Sequence, residues 1–127
     1  MEKIVFLPGA SGNIDFWKPL IEFLPKKYEK QIIGYPGFGR IAEDTRLKSF
    51  SDLQEYVTGK INSESILIAQ SMGGIFAVNK AFTDPSLIKG LVLIATSGGI
   101  DLTPFNVQDW RTEYQEQYPR YPEWFMT

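Results

Sequence analysis

From residue 3 to about residue 95, short apolar runs alternate with stretches of helical spacing. Lys3 to Leu7 predicts a buried strand, stopped by Pro8-Gly9. Phe16, Leu20, Phe23 and Leu24 recur at helical intervals, predicting a helix capped by Asp15 and ended by Pro25. Gln31 to Tyr35 predicts a second strand, closed by Pro36-Gly37. Ser51 and Asp52 open a second helix, on which Leu53, Val57 and Ile61 share a face. A third strand is predicted over Ser65 to Ala69, a helix over Met72 to Phe82, and a fourth strand over Gly90 to Ala95. Strands apolar at nearly every position need cover on both sides, because neither face can be left to water. The pattern therefore predicts an α/β fold, a parallel sheet of about four strands with helices on both faces. After Gly98-Gly99 the texture changes to aromatics (Trp110, Tyr114, Tyr118, Tyr121, Trp124, Phe125) among charges and prolines. Residues 1–99 are thus read as a core and residues 100–127 as the incomplete start of a lid or cap.

Composition narrows the function more than the fold. At 127 residues with 43% apolar content, the chain is expected to make one domain at most, large enough for a real core, and its composition argues against disorder. A net charge of −2 without a Lys/Arg cluster argues against a nucleic-acid partner. Cysteine and histidine are both absent, so no disulfide framework and no zinc site are expected, and no metal or cofactor is called for. The N-terminal apolar run is too short for a signal peptide or a membrane span, and a cytoplasmic protein is the expectation.

The chemistry centres on Ile66-Leu67-Ile68-Ala69-Gln70-Ser71-Met72-Gly73-Gly74. A branched apolar run meets a serine, then glycines and a helix-forming stretch. Small residues two positions before and after the serine, Ala69 and Gly73, allow the strand and helix backbones to pass closely. The helix amides then face the serine, where they favour developing negative charge. A plain strand-to-helix turn would also contain Ser-x-Gly, but this one follows two strand–helix units, which favours the chemical reading.

The segment resembles the nucleophile elbow of α/β-hydrolases, with Ala-Gln-Ser-Met-Gly for the usual G-x-S-x-G. Three further stretches share the resemblance: Phe6 to Gly12 followed by Phe16-Trp17, then Gly34-Tyr35-Pro36-Gly37-Phe38-Gly39, and Ile88 to Ala95. Pro8 stands where that family often has histidine, and Gly34 where it has aspartate. The resemblance covers residues 3–99 and implies a partial α/β-hydrolase fold with three αβα layers. It implies Ser71 as nucleophile, the backbone amides of Ala10 and Met72 as oxyanion hole, and hydrolysis or transfer of an acyl group without cofactor. Gly9, Trp17, Phe38, Gln70 and Phe105 are the expected substrate-binding residues for a small-molecule acyl substrate. Ala10, Phe16, Met72 and Trp110 are further candidates for an apolar pocket, although Phe16 fits the core better. The implied strand order is second, first, third, fourth. That order leaves Leu91 to Ile94 an apolar edge, and self-association through this edge or through the aromatic tail is expected.

Two other readings compete. Gly9-Ala10-Ser11-Gly12 also resembles a dinucleotide-binding loop. However, Asp15 occupies the position of its third small residue, where a carboxylate would oppose a pyrophosphate, and the second strand ends without an acid for a ribose. The second reading follows from the missing histidine. A serine needs a base, and the family's later acid and histidine have no counterpart here. Asp84 reads as a turn residue, Asp101 is a weak candidate acid, and Asp109 does not follow a strand. The chain is therefore expected to be a C-terminally truncated serine hydrolase with little activity alone. The alternative is a non-catalytic binding or interaction module on a hydrolase-like sheet.

Overall fold

The computed structural model describes residues 2–96, 104 and 121–126. Four strands form one parallel sheet: β1 (Lys3–Leu7), β2 (Glu29–Ile32), β3 (Ser65–Gln70) and β4 (Ile88–Ile94), in the spatial order β2-β1-β3-β4. The main helices are α1 (Lys18–Phe23), α2 (Phe50–Gly59) and α3 (Gly73–Thr83). Strand alternation sorts the core into two layers. Val5, Leu7, Leu67 and Ala69 face Leu53 and Val57 of α2 and Phe76 and Ala77 of α3. Ile4, Phe6 and Ile68 face the opposite way, against Trp17, Ile21 and Leu24. The result is a three-layer αβα arrangement with the sheet in the middle.

The first helix differs from its predicted form. Its cap is Asn13, whose Oδ1 accepts from the Asp15 amide at 3.0 Å. The chain makes a 3₁₀ turn over Ile14–Trp17 before α1 begins, and this rotates the buried stripe. Trp17, Ile21 and Leu24 pack inward, whereas Phe23 is 86% exposed and Phe16 is half-exposed rather than core. Asp15 pairs instead with Lys18 at 2.9 Å and Arg40 at 2.8 Å. The Lys18 contact, and then Arg40, holds its carboxyl below the usual range.

Two other boundaries move for local reasons. The strand β2 begins two residues before the predicted Gln31 and ends at Ile32, and the Ile33 amide still donates to the Phe6 carbonyl at 3.0 Å. Its polar Glu29, Lys30 and Gln31 suit an edge strand, which need not be apolar on both faces. The helix α2 is capped two residues earlier than predicted, at Ser49. Ser49 Oγ accepts from the Asp52 amide at 3.1 Å while Asp52 Oδ2 accepts from the Lys48 amide at 2.8 Å. That resembles a capping box written Ser-x-x-Asp, with the reciprocal bond coming from the amide one residue before the cap.

The strand β4 lies at the opposite edge with no neighbour on its outer side among the described residues. Leu91, Val92, Leu93 and Ile94 are 38–44% exposed, so both faces of the strand meet solvent. Among the described residues, no helix is long and apolar enough to cross a membrane.

Candidate active site

At the C-terminal end of β3 the backbone turns sharply, and Ser71 occupies the left-handed region at φ 51°. A residue with a Cβ is strained there, and such strain persists only where the surroundings enforce it. The enforcement is visible. Ser71 donates its amide to the Ile94 carbonyl of β4 at 2.9 Å, and Gly74 donates to the Ser71 carbonyl at 2.9 Å. A Cβ on Gly73 would fall 2.7 Å from the Pro8 carbonyl oxygen and would also collide with that of Leu7. The start of α3 is thus pressed against the end of β1, and only glycine fits. The sequence-based argument for a small residue at this position holds.

The same approach brings the loop after β1 to the serine. A Cβ on Gly9 would lie 3.3 Å from Ser71 Cβ and 2.8 Å from Gln70 Oε1. Gly9 donates its amide to that Oε1 at 3.1 Å. The loop is also tied from below. The fully buried Tyr35 donates its hydroxyl to the Pro8 carbonyl at 2.6 Å, and burial raises the Tyr35 pKa well above its ordinary value. Gly12 and Gly39, both with positive φ, let the loops after β1 and β2 touch backbone to backbone, since a Cβ on Gly39 would lie 2.8 Å from the Gly12 carbonyl oxygen.

Ser71 is partly exposed, and Ala10 and Met72 are buried beside it in sequence and loop position. Neither the Ala10 nor the Met72 amide donates a hydrogen bond among the described residues, and the Ser71 hydroxyl has no partner there. Met72 precedes the first turn of an eleven-residue helix, whose dipole favours an anion at that end. A partly exposed hydroxyl at a strained turn, with free backbone donors close by, can add to a carbonyl and hold the resulting oxyanion.

Other expected site residues fall elsewhere. Trp17 is 1% exposed and packs on Phe6 with ring centroids 5.3 Å apart, so it belongs to the core on the α1 side. Phe38 is fully buried between Tyr35 and the terminal turn, with Phe125 at 4.9 Å and Tyr121 at 5.6 Å, and it supports the loops instead of lining open space. Phe105, Trp110, Asp101 and Asp109 lie outside the described residues. Asp84 ends α3 and takes the buried Lys80 ammonium at 2.8 Å, which fits the turn role expected of it. The sequence reading did not single out Tyr35, and a tyrosine in a Gly-x-Pro-Gly loop carries no mark of the carbonyl it will reach.

Comparison with known proteins follows the same line. A family model described as the alpha/beta hydrolase fold matches residues 3–127. This chain belongs to the α/β-hydrolase family. The pimeloyl-[acyl-carrier protein] methyl ester esterase of Wigglesworthia glossinidia brevipalpis is 31% identical over 95 residues, covering 75% of this chain and 36% of the relative. The Yersinia pestis esterase of the same name is 28% identical over 94 residues, 74% of this chain and 36% of the relative. The α/β-hydrolase chain thus spans little more than a third of these curated relatives. Among solved structures, a Nitrososphaera gargenis carboxylesterase superposes with a TM-score of 0.74 at 20% identity, over 91% of this chain and 45% of that one. A probable hydrolytic enzyme from Pseudomonas aeruginosa gives 0.72 at 21%, over 91% and 40%. At such identities these likenesses concern the fold.

Proposed function

We propose that this α/β-hydrolase chain carries the nucleophile and oxyanion hole for cleavage of an ester or related acyl bond. The observation that carries the reading is Ser71 at φ 51° on the turn between β3 and α3. In the proposed reaction Ser71 Oγ bonds to the acyl carbon as its proton passes to a base. The bond to the leaving oxygen breaks, the alcohol departs with a proton, and water then releases the acid. The Ala10 and Met72 amides hold the oxyanion in each half-reaction. An ester substrate also agrees with the methyl ester esterases named above. The 127 residues contain no histidine, so we propose that by themselves they turn over esters far below enzyme-like rates.

A boronic acid separates binding at the serine from turnover, because boron accepts the Ser71 oxygen and becomes a tetrahedral anion, the hydroxyl proton going to solvent. We expect phenylboronic acid to bind the chain, followed by ¹¹B NMR, and Ser71→Ala to weaken it about tenfold or more. Ser71→Gly should weaken binding to the same extent while raising stability by about 1 kcal/mol, since glycine relieves the positive φ. Equal binding by wild type and Ser71→Ala would leave a binding module without a nucleophile. Aryl ester hydrolysis at enzyme-like rates, abolished in Ser71→Ala, would show that the base is present after all.

The apolar edge of β4 supports a second proposal, association of two copies through Leu91 to Ile94. Light scattering at tens of micromolar is expected to give a mass above that of the monomer, and a strictly monomeric profile overturns it.

A further inference from the structure

The Gly9 amide sits at the start of the loop that would form the oxyanion hole, yet it is not free to bind an oxyanion. It donates to Gln70 Oε1, sixty-one residues away in sequence, at 3.1 Å. An amide N–H can only donate, so the carbonyl end of the Gln70 side chain must face Gly9 and the NH₂ end must face elsewhere. Gln70 is the last residue of β3, directly before the nucleophile, and is itself only partly buried. Its side chain lies so close over Gly9 that any Cβ there would meet Oε1 at 2.8 Å. The loop after β1 is thus clamped from two sides: Tyr35 holds the Pro8 carbonyl at 2.6 Å and Gln70 holds the next amide.

We infer that Gln70 is a positioning residue for the oxyanion hole: by taking the Gly9 amide it fixes the Pro8–Gly9 peptide, directly before the one that presents the Ala10 amide to Ser71. This rests on Ser71 as the proposed nucleophile. The clamp follows from local geometry. Gly9 N–H turned to Gln70 leaves the following amide, Ala10 N–H, uncommitted. Without Gln70 the Pro8–Gly9 peptide keeps only its Tyr35 anchor, and the Gly9–Ala10 peptide only the bond from the Gly12 amide to the Gly9 carbonyl at 3.0 Å, so the preorganisation that makes an oxyanion hole effective is weakened. Gln70 exerts this effect without touching the reacting atoms.

The test compares Gln70→Met, which keeps the unbranched shape but has no strong acceptor, with Gln70→Glu, which keeps an acceptor in place. Amide exchange of Gly9, read by ¹⁵N–¹H spectroscopy on the 127-residue chain, should speed up about three- to tenfold in Gln70→Met and remain protected in Gln70→Glu. The Gly9 shift in Gln70→Glu should follow titration of the new carboxylate, which a merely space-filling side chain would not produce. Phenylboronic acid should bind Gln70→Met more weakly by a similar factor. It should also bind Gln70→Glu more weakly, there because the added negative charge opposes the boronate. Unchanged Gly9 exchange in a folded Gln70→Met, or Ser71-dependent boronate binding equal to wild type, overturns the inference. Boronate binding that ignores Ser71→Ala overturns the reading of Ser71 instead, and the Gly9 exchange result then still decides whether the clamp exists.

Discussion

Gly73→Ala is expected to destabilise the chain by about 3 kcal/mol or more, despite replacing the poorer helix former with the best one. Alanine is ordinarily favoured over glycine inside a helix by up to about 1 kcal/mol. Here the added methyl would meet the Leu7 and Pro8 carbonyl oxygens, with the second at 2.7 Å. Both atoms belong to the backbone of β1 and its exit, which is locked between β2 and β3, so neither can swing aside as a side chain would. Relief requires moving α3 away from the sheet. That movement would open the contacts of Phe76 and Ala77 with Val5, Leu7 and Ala69. Gly59→Ala provides the control. A Cβ there meets nothing within 4 Å, and the substitution should stabilise by about 0.5 kcal/mol. Urea denaturation of the two variants should therefore give changes of opposite sign. A Gly73→Ala midpoint equal to or above wild type would show that α3 and β1 are not pressed together at this point.

Tyr35→Phe should cost about 1–3 kcal/mol, because it leaves the buried Pro8 carbonyl without its donor. Packing should be little disturbed, since the ring keeps its edge-to-face contacts with Phe38 at 5.9 Å and Phe76 at 5.3 Å. The hydroxyl also makes stability depend on pH. Burial raises the Tyr35 pKa above its unfolded value of about 10, so the native state retains a proton that the unfolded state loses. The stability tied to that proton is fully present below about pH 10 and declines as pH rises towards the folded value. Denaturation at pH 8 and at pH 11 should show a larger drop for wild type than for Tyr35→Phe. Equal slopes would mean that the Tyr35 hydroxyl does not keep its proton in the fold. Because the same carbonyl begins the oxyanion loop, weaker boronate binding should accompany the loss of stability.

Much of this α/β-hydrolase fold is legible along the chain. The sequence pattern matches β1 at its bounds and β3 and β4 to within two residues; Leu53 and Val57 share the buried face of α2, while Ile61 lies past the helix's end and joins the same core from there. Buried strands and amphipathic helices announce themselves because every residue in them answers to the same two faces. The first helix was less legible. Phe16, Leu20 and Phe23 have helical spacing, but the 3₁₀ turn begun by Asn13 shifts the phase, and Trp17, Ile21 and Leu24 become the inner stripe. A change in turn type over four residues is worth too little energy locally to leave a mark in composition.

The sequence alone determined the parallel sheet, the serine at a strand-to-helix turn, the need for Gly73, and the absence of histidine among these residues, while the strand order came from the resemblance to α/β-hydrolases. These follow from periodicity and from steric demands that a single residue type satisfies. Only the tertiary structure decided that Trp17 and Phe38 are core residues, that Tyr35 holds Pro8, and that Gln70 holds Gly9. Those outcomes depend on which distant atoms come within about 3 Å of each other. A side chain's type says what it can donate or accept, and only the packed sheet says to whom.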